Sequence, residues 1–101
     1  MSKRLHHSDF EPHLKNSFKV HSQELGSVNV ILAEAVSRNR QGMESYSLIF
    51  KGPKEPVLKQ MTYKITNNKM GDFRLFLVPI NSNTQGGMLY QSVVNRKLEE
   101  E

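Results

Sequence analysis

Met43-Glu44-Ser45-Tyr46-Ser47-Leu48-Ile49-Phe50-Lys51 runs in a two-residue rhythm until Gly52-Pro53 stops it. Tyr46, Leu48 and Phe50 fall on one face, and Ser45 and Ser47 on the other. That is the spacing of a strand with one side turned to a core. A glycine and two prolines in Gly52-Pro53-Lys54-Glu55-Pro56 cannot extend a central strand. Gly52-Pro53 is therefore read as a turn.

The rhythm continues on both sides of this stretch. Downstream, Val57 and Leu58 are expected to fold back over the edge of the core. From Gln60 to Thr66, Met61, Tyr63 and Ile65 alternate with Thr62, Lys64 and Thr66. Asn67-Asn68-Lys69-Met70-Gly71 reads as a hairpin loop. Asp72 to Ile80 is the most apolar segment, with Phe73, Leu75 and Leu77 on one side and Phe76, Val78 and Ile80 on the other. A strand apolar on both sides is expected to lie centrally, covered twice. Met88 to Asn95 is a last strand, with Tyr90 and Val94 opposite Leu89 and Val93. Upstream, Val28, Val30 and Leu32 share one face of a strand from Val28 to Val36, whose other face carries Ile31, Ala33 and Ala35. Phe18 and Val20 mark another from Ser17 to Ser22. Gly26 between them is available for a positive φ.

Ser8-Asp9-Phe10-Glu11-Pro12-His13-Leu14 has helical spacing instead. Ser8 or Asp9 is placed to cap the free N–H groups, and Pro12 is tolerable only in a first turn. Phe10 and Leu14, four apart, should point together into one end of the β structure. Asn16 is the residue expected to take a left-handed conformation. The sequence thus predicts one all-β domain over 8–95, with an unstructured tail at 1–7 and a charged tail at 96–101. The expected architecture is a small antiparallel six-stranded barrel, partly closed, with one N-terminal helical turn. A β-sandwich is the alternative. Closure is preferred because it hides strand edges that this sequence protects weakly.

Composition narrows the function. The chain has 101 residues, enough for one thin core. It holds no cysteine, which removes disulfides, thiolate nucleophiles and Cys-based zinc sites, and suits a reducing cytoplasm. There is no apolar run of membrane-spanning length, and Met1-Ser2-Lys3-Arg4-Leu5-His6-His7 does not read as a secretory signal. No membrane role is expected. The net charge is +4, with Glu99, Glu100 and Glu101 forming an acidic end. A basic body attracts nucleic acid or an acidic partner weakly, and its ordinary role is solubility.

A longer string then carries a resemblance: Tyr46-Ser47-Leu48-Ile49-Phe50-Lys51-Gly52-Pro53, Leu58-Lys59-Gln60-Met61-Thr62-Tyr63, Met70-Gly71-Asp72-Phe73-Arg74-Leu75-Phe76-Leu77-Val78-Pro79-Ile80 and Tyr90-Gln91-Ser92-Val93-Val94-Asn95. With the opening Phe10-Glu11-Pro12-His13-Leu14, it resembles an uncharacterised family of small bacterial all-β domains, over nearly the whole chain. The resemblance implies a setting near phage-tail-collar-like proteins and no particular chemistry. Met61 stands where the family tends to have glycine, and Gln91 where glutamate is usual. Asn67-Asn68 replaces a common acidic residue and histidine. No functional residue is carried over.

The chemistry the residues themselves offer is sparse. His6, His7 and His13 are imidazoles, but two of them fall in the expected tail, so no metal is assigned. Ser8, Asp9 and His13 lie too close in sequence to form a relay. Asp9, Glu11, Glu24, Glu34, Glu44, Glu55 and Asp72 are scattered, and Glu34 is read as outward-pointing. Gly86-Gly87 lacks the Lys-Ser or Lys-Thr of a phosphate loop. No catalytic residue and no cofactor is expected. The expectation is a non-enzymatic protein-interaction module, its candidate patch Met43, Met88 and Leu89, its partner another protein and its setting a phage-tail-like or fibre-like assembly. The alternative is a basic barrel for single-stranded nucleic acid. Its cations would be Arg38, Arg40, Lys51, Lys54 and Lys59, and its exposed stacking platforms Tyr46 and Tyr90.

Overall fold

Each segment of two-residue rhythm becomes a strand. The computed structural model describes residues 5–38, 41–82 and 87–97. A helical turn, α1 (His7–Phe10), passes into a 3-10 turn (Glu11–His13). Six strands follow: β1 (Ser17–Ser22), β2 (Gly26–Ser37), β3 (Met43–Gly52), β4 (Met61–Asn67), β5 (Gly71–Ser82) and β6 (Met88–Lys97). The strands form a closed barrel in the order β1-β2-β3-β6-β5-β4. All six neighbouring pairs are antiparallel. Among the described residues no helix is long and apolar enough to cross a membrane.

This order leaves one connection that is not a hairpin to its neighbour. Residues 53–60 must cross from β3 to β4 over the end of the barrel that also carries the β1–β2 turn. Leu58 fills that end and is fully buried, and its N–H donates to the Tyr90 hydroxyl at 2.9 Å. Val57, expected to join it, is exposed. The opposite end is filled from the N-terminus by Phe10, whose ring lies 5.9 Å from that of Tyr46 and 5.5 Å from that of Phe73. Phe18 continues the aromatic core, 5.5 Å from Phe50 and 6.2 Å from Phe73.

Several expectations are corrected here. Leu14 does not share the plug with Phe10, because the chain tightens to 3-10 after Phe10 and leaves helical geometry at Leu14 (ψ 137). The left-handed residue is Lys15 (φ 72), not Asn16. Its N–H donates to the Leu32 carbonyl at 2.7 Å, so the turn is tied to β2. Asp9 caps from within the first turn, accepting the His6 N–H at 2.8 Å. Leu5, His6 and His7 are not an unstructured tail. Leu5 is buried and its carbonyl accepts the Tyr46 hydroxyl at 2.9 Å, while the His7 ring donates to the Ala35 carbonyl at 2.9 Å. β6 runs on through Arg96 and Lys97.

Two differences lie in the sheet. The β2–β3 register shifts between Leu32 and Glu34, and this bulge turns Ala35 back toward the core instead of leaving it opposite Leu32. Glu34 is exposed, as read from the sequence. β5 is not covered twice. Phe73, Leu75 and Leu77 face inward, but Phe76 and Ile80 stand on the bare outer surface. Gly52 is no turn residue: it ends β3, where an added Cβ would lie 3.1 Å from the Tyr90 ring and 3.2 Å from Val30. The glycine there lets β3 approach the Tyr90 side chain.

Phe10→Ala should cost about 3–5 kcal/mol in urea unfolding, as for a buried aromatic. Leu14→Ala should stay within about 0.5 kcal/mol. Equal losses would mean that both plug the barrel. Gly52→Ala should cost about 1–3 kcal/mol through overpacking against Tyr90 and Val30. A melting curve unchanged from the parent would remove the close approach.

Candidate functional site

The seam that closes the barrel is short. β1 pairs with β4 only through Lys19↔Thr66, Val20↔Ile65 and His21↔Lys64. At Ser22 the chain turns back into β2, with the Ser22 hydroxyl accepting the Leu25 N–H at 3.1 Å and Gly26 at φ 77. β4 extends further, to Met61, and pairs there with β5 alone. The space between the β1–β2 turn, the β3–β4 connection and this part of β4 is a cleft of about 610 Å³. Its volume lies in the range of small-molecule and peptide pockets.

Two kinds of side chain line it. Leu25, Val57 and Met61 remain 39%, 47% and 49% exposed although all three are large and apolar. Around them stand His21, Lys59, Lys64 and Arg74, with Glu24 the one carboxylate in the lining. Lys59 reaches Glu24 at 3.3 Å, and Lys64 reaches Asp72 at 3.5 Å. Both pairs are well exposed, so neither holds its lysine firmly. Arg74 forms no ion pair among the described residues. Lys64 and Arg74 are direct cross-strand partners, and like charges in that position repel.

The polar groups beside the cleft are arranged for structure. Tyr63 donates its hydroxyl to the Lys59 carbonyl at 2.7 Å, and burial pushes its phenol above the usual range. The Thr66 hydroxyl donates to Asp72 at 2.9 Å and therefore accepts from the His21 ring at 2.8 Å. The hydroxyl proton is thus held by the carboxylate rather than by the imidazole. First the Thr66 hydroxyl and then the Lys64 ammonium hold the Asp72 carboxyl below its ordinary range.

The residues expected from the sequence are dispersed. Lys59 lines the cleft, Lys51 lines a shallower groove with Ile31 and Pro53, and Lys54 is exposed on the connection. Arg38 lies at the far end of β3, its N–H donating to the Ser45 carbonyl at 2.7 Å. Six residue steps along β3 separate that point from Lys51, roughly 20 Å. Arg40 lies outside the described residues. Of the described cations, Arg38 therefore does not converge with Lys51, Lys54 and Lys59. Tyr46 and Tyr90 are buried and offer no stacking face, whereas Phe76 is the aromatic found 46% exposed. Met43 pairs with Lys97, and Met88 pairs with Gly52 at the other end of the same ladder, so Met43 is remote from Met88 and Leu89. Met88 packs against the core.

The histidines also have separate duties. The His6 ring donates to both oxygens of the buried Glu44 carboxylate, at 2.8 and 2.9 Å, and His13 meets the Asn16 side chain at 3.2 Å. Among the described residues no three His, Asp or Glu side chains group as metal ligands.

With this geometry in view, the sequence comparison is informative on kinship. Residues 5–94 match the family model described as Domain of unknown function (DUF6916). The chain belongs to the DUF6916 family. Among curated proteins and solved structures no significant match is found. The DUF6916 match begins at Leu5, the first residue of the N-terminal plug, and covers all six strands almost to the end of β6.

The Asp72 shift has a definite sign. Its folded-state value is lowered, so the contribution to stability is present above the unfolded value and is lost as pH falls through the folded one. An NMR titration should place the Asp72 midpoint below that of an unstructured aspartate, and Thr66→Val should raise it. A midpoint unmoved by Thr66→Val would remove the hydroxyl as the main cause.

Proposed function

We propose that this DUF6916 domain is a non-enzymatic protein-interaction module that receives its partner in the cleft beside β4. One observation carries the reading: three large apolar side chains stand uncovered together within a cationic rim. Leu25, Val57 and Met61 come from three different elements, and folding leaves all three without cover. Apolar groups gathered within a polar rim are the pattern of an interaction site, whereas singly scattered ones need no explanation.

The nucleic-acid reading has less support, since its described cations are dispersed and its two tyrosines are buried. The family resemblance is the only support for placing the partner in a phage-tail-like or fibre-like assembly. A cysteine-free composition fits a cytoplasmic setting.

The test is a peptide-display selection against the whole chain, followed by anisotropy with the enriched peptide. Val57→Asp and Met61→Asp, both at exposed positions, should keep the fold and each weaken binding by about tenfold, or 1.4 kcal/mol. No enrichment, or binding to both variants as tight as to the parent, would count against the module. A labelled single-stranded oligonucleotide at low salt should bind weakly if at all. Tight, salt-sensitive binding would favour the alternative.

A further inference from the structure

We propose that the edge of β4 at Met61–Tyr63 accepts an extended acidic peptide as an added strand. This deepens the interaction reading and rests on it, naming both the chemistry of the partner and its mode of attachment.

The edge exists because β1 leaves early. Continuing the β1–β4 register past His21↔Lys64 would set residues 22, 23 and 24 opposite 63, 62 and 61. The chain turns away at Ser22 instead. Among the described residues no backbone hydrogen bond joins Met61–Tyr63 to anything on that side. Three residues of open edge span roughly 10 Å, enough for a few ladder bonds. An unpaired edge is a template for another strand, and strand addition takes affinity from the backbone and specificity from alternate side chains.

The surroundings specify that strand. An extended peptide sends alternate side chains to opposite faces. Those entering the cleft meet Leu25, Val57 and Met61, so apolar groups suit them. Those on the other face lie beside Lys64 and, across one strand, Arg74, both at the rim of the same cleft. The two cations repel each other, Arg74 forms no ion pair among the described residues, and Lys64 has only an exposed partner at 3.5 Å. A carboxylate on the added strand would meet both and relieve that repulsion. The peptide therefore alternates apolar and acidic residues. A polynucleotide suits the site less well. It has phosphates but no N–H and C=O ladder, and of the two rings lining the cleft that of Tyr63 is buried with its hydroxyl engaged and that of His21 is bonded to the Thr66 hydroxyl.

The experiment uses the whole chain, labelled with nitrogen-15, and a short capped peptide alternating glutamate with valine. Two companions are run: one with lysine for glutamate, and one with N-methylated backbone that cannot extend a ladder. The glutamate peptide should shift the cleft resonances, and those amides of Met61–Tyr63 that point away from β5 should slow in hydrogen exchange by about tenfold or more. Both companions should bind at least tenfold more weakly, and Arg74→Glu should weaken the glutamate peptide similarly. Equal binding of the N-methylated peptide, or cleft binding without amide protection, overturns strand addition and leaves the module reading intact. A display-selected peptide that binds while the glutamate peptide does not overturns the acidic chemistry alone. If neither binds, the module reading falls as well. Displacement of the peptide from Lys64 and Arg74 by an oligonucleotide of higher affinity overturns the proposal in favour of nucleic acid.

Discussion

Three residue pairs between β1 and β4 close this barrel, and both the fold and the candidate site follow from how few they are. Closure separates inside from outside. With Val20 and Ile65 locked across the seam, the inward positions of all six strands converge on one aromatic core. Had the seam failed, β1 and β4 would be edges of an open sheet and the alternation would have no enclosed side. Had it continued, β1 would cover Met61–Tyr63 and the space beside β4 would be filled by chain.

The ends of the barrel are held by different means. At one, Phe10 and Leu5 come from the N-terminus, and the tyrosine hydroxyl of β3 fastens the entering chain. At the other, Leu58 is carried in by the β3–β4 connection and fastened to Tyr90. Gly52 lets Tyr90 occupy that position. Each plug joins an apolar side chain to one buried hydrogen bond between a tyrosine hydroxyl and the backbone, which satisfies that phenol inside the barrel. The second arrangement also shapes the cleft, since the segment that seats Leu58 leaves Val57 and Lys59 at its wall.

The six strands were legible because alternation is a local property, written in each segment separately. What depends on two segments was not. Phe76 and Ile80 looked buried because a strand apolar on both sides ordinarily lies between two layers; in a single-layer barrel the outer side has nothing to cover it. The bulge that returns Ala35 to the core carries no signature in Leu32-Ala33-Glu34-Ala35. Tyr46 and Tyr90 are not surface platforms, because their hydroxyls have interior partners that no local pattern reveals, a carbonyl of residue 5 and an N–H of residue 58. The cleft was invisible for the same reason. Lys59 carries a local signal in its basic loop, but Lys64 and Arg74 lie in different strands and only the register sets them side by side. Met61 shares the phase of Tyr63 and Ile65 but is exposed, because the strand runs past its covering partner at that point.

The length of the seam is therefore the claim on which the account stands, and cross-strand nuclear Overhauser effects between β1 and β4 measure it directly. The account requires contacts for Lys19 with Thr66, Val20 with Ile65 and His21 with Lys64, and none between the backbones of residues 22–24 and 61–63. Backbone contacts continuing through 22–24 would show a full ladder with no open edge, and an absence of all of them would show that the barrel is not closed there.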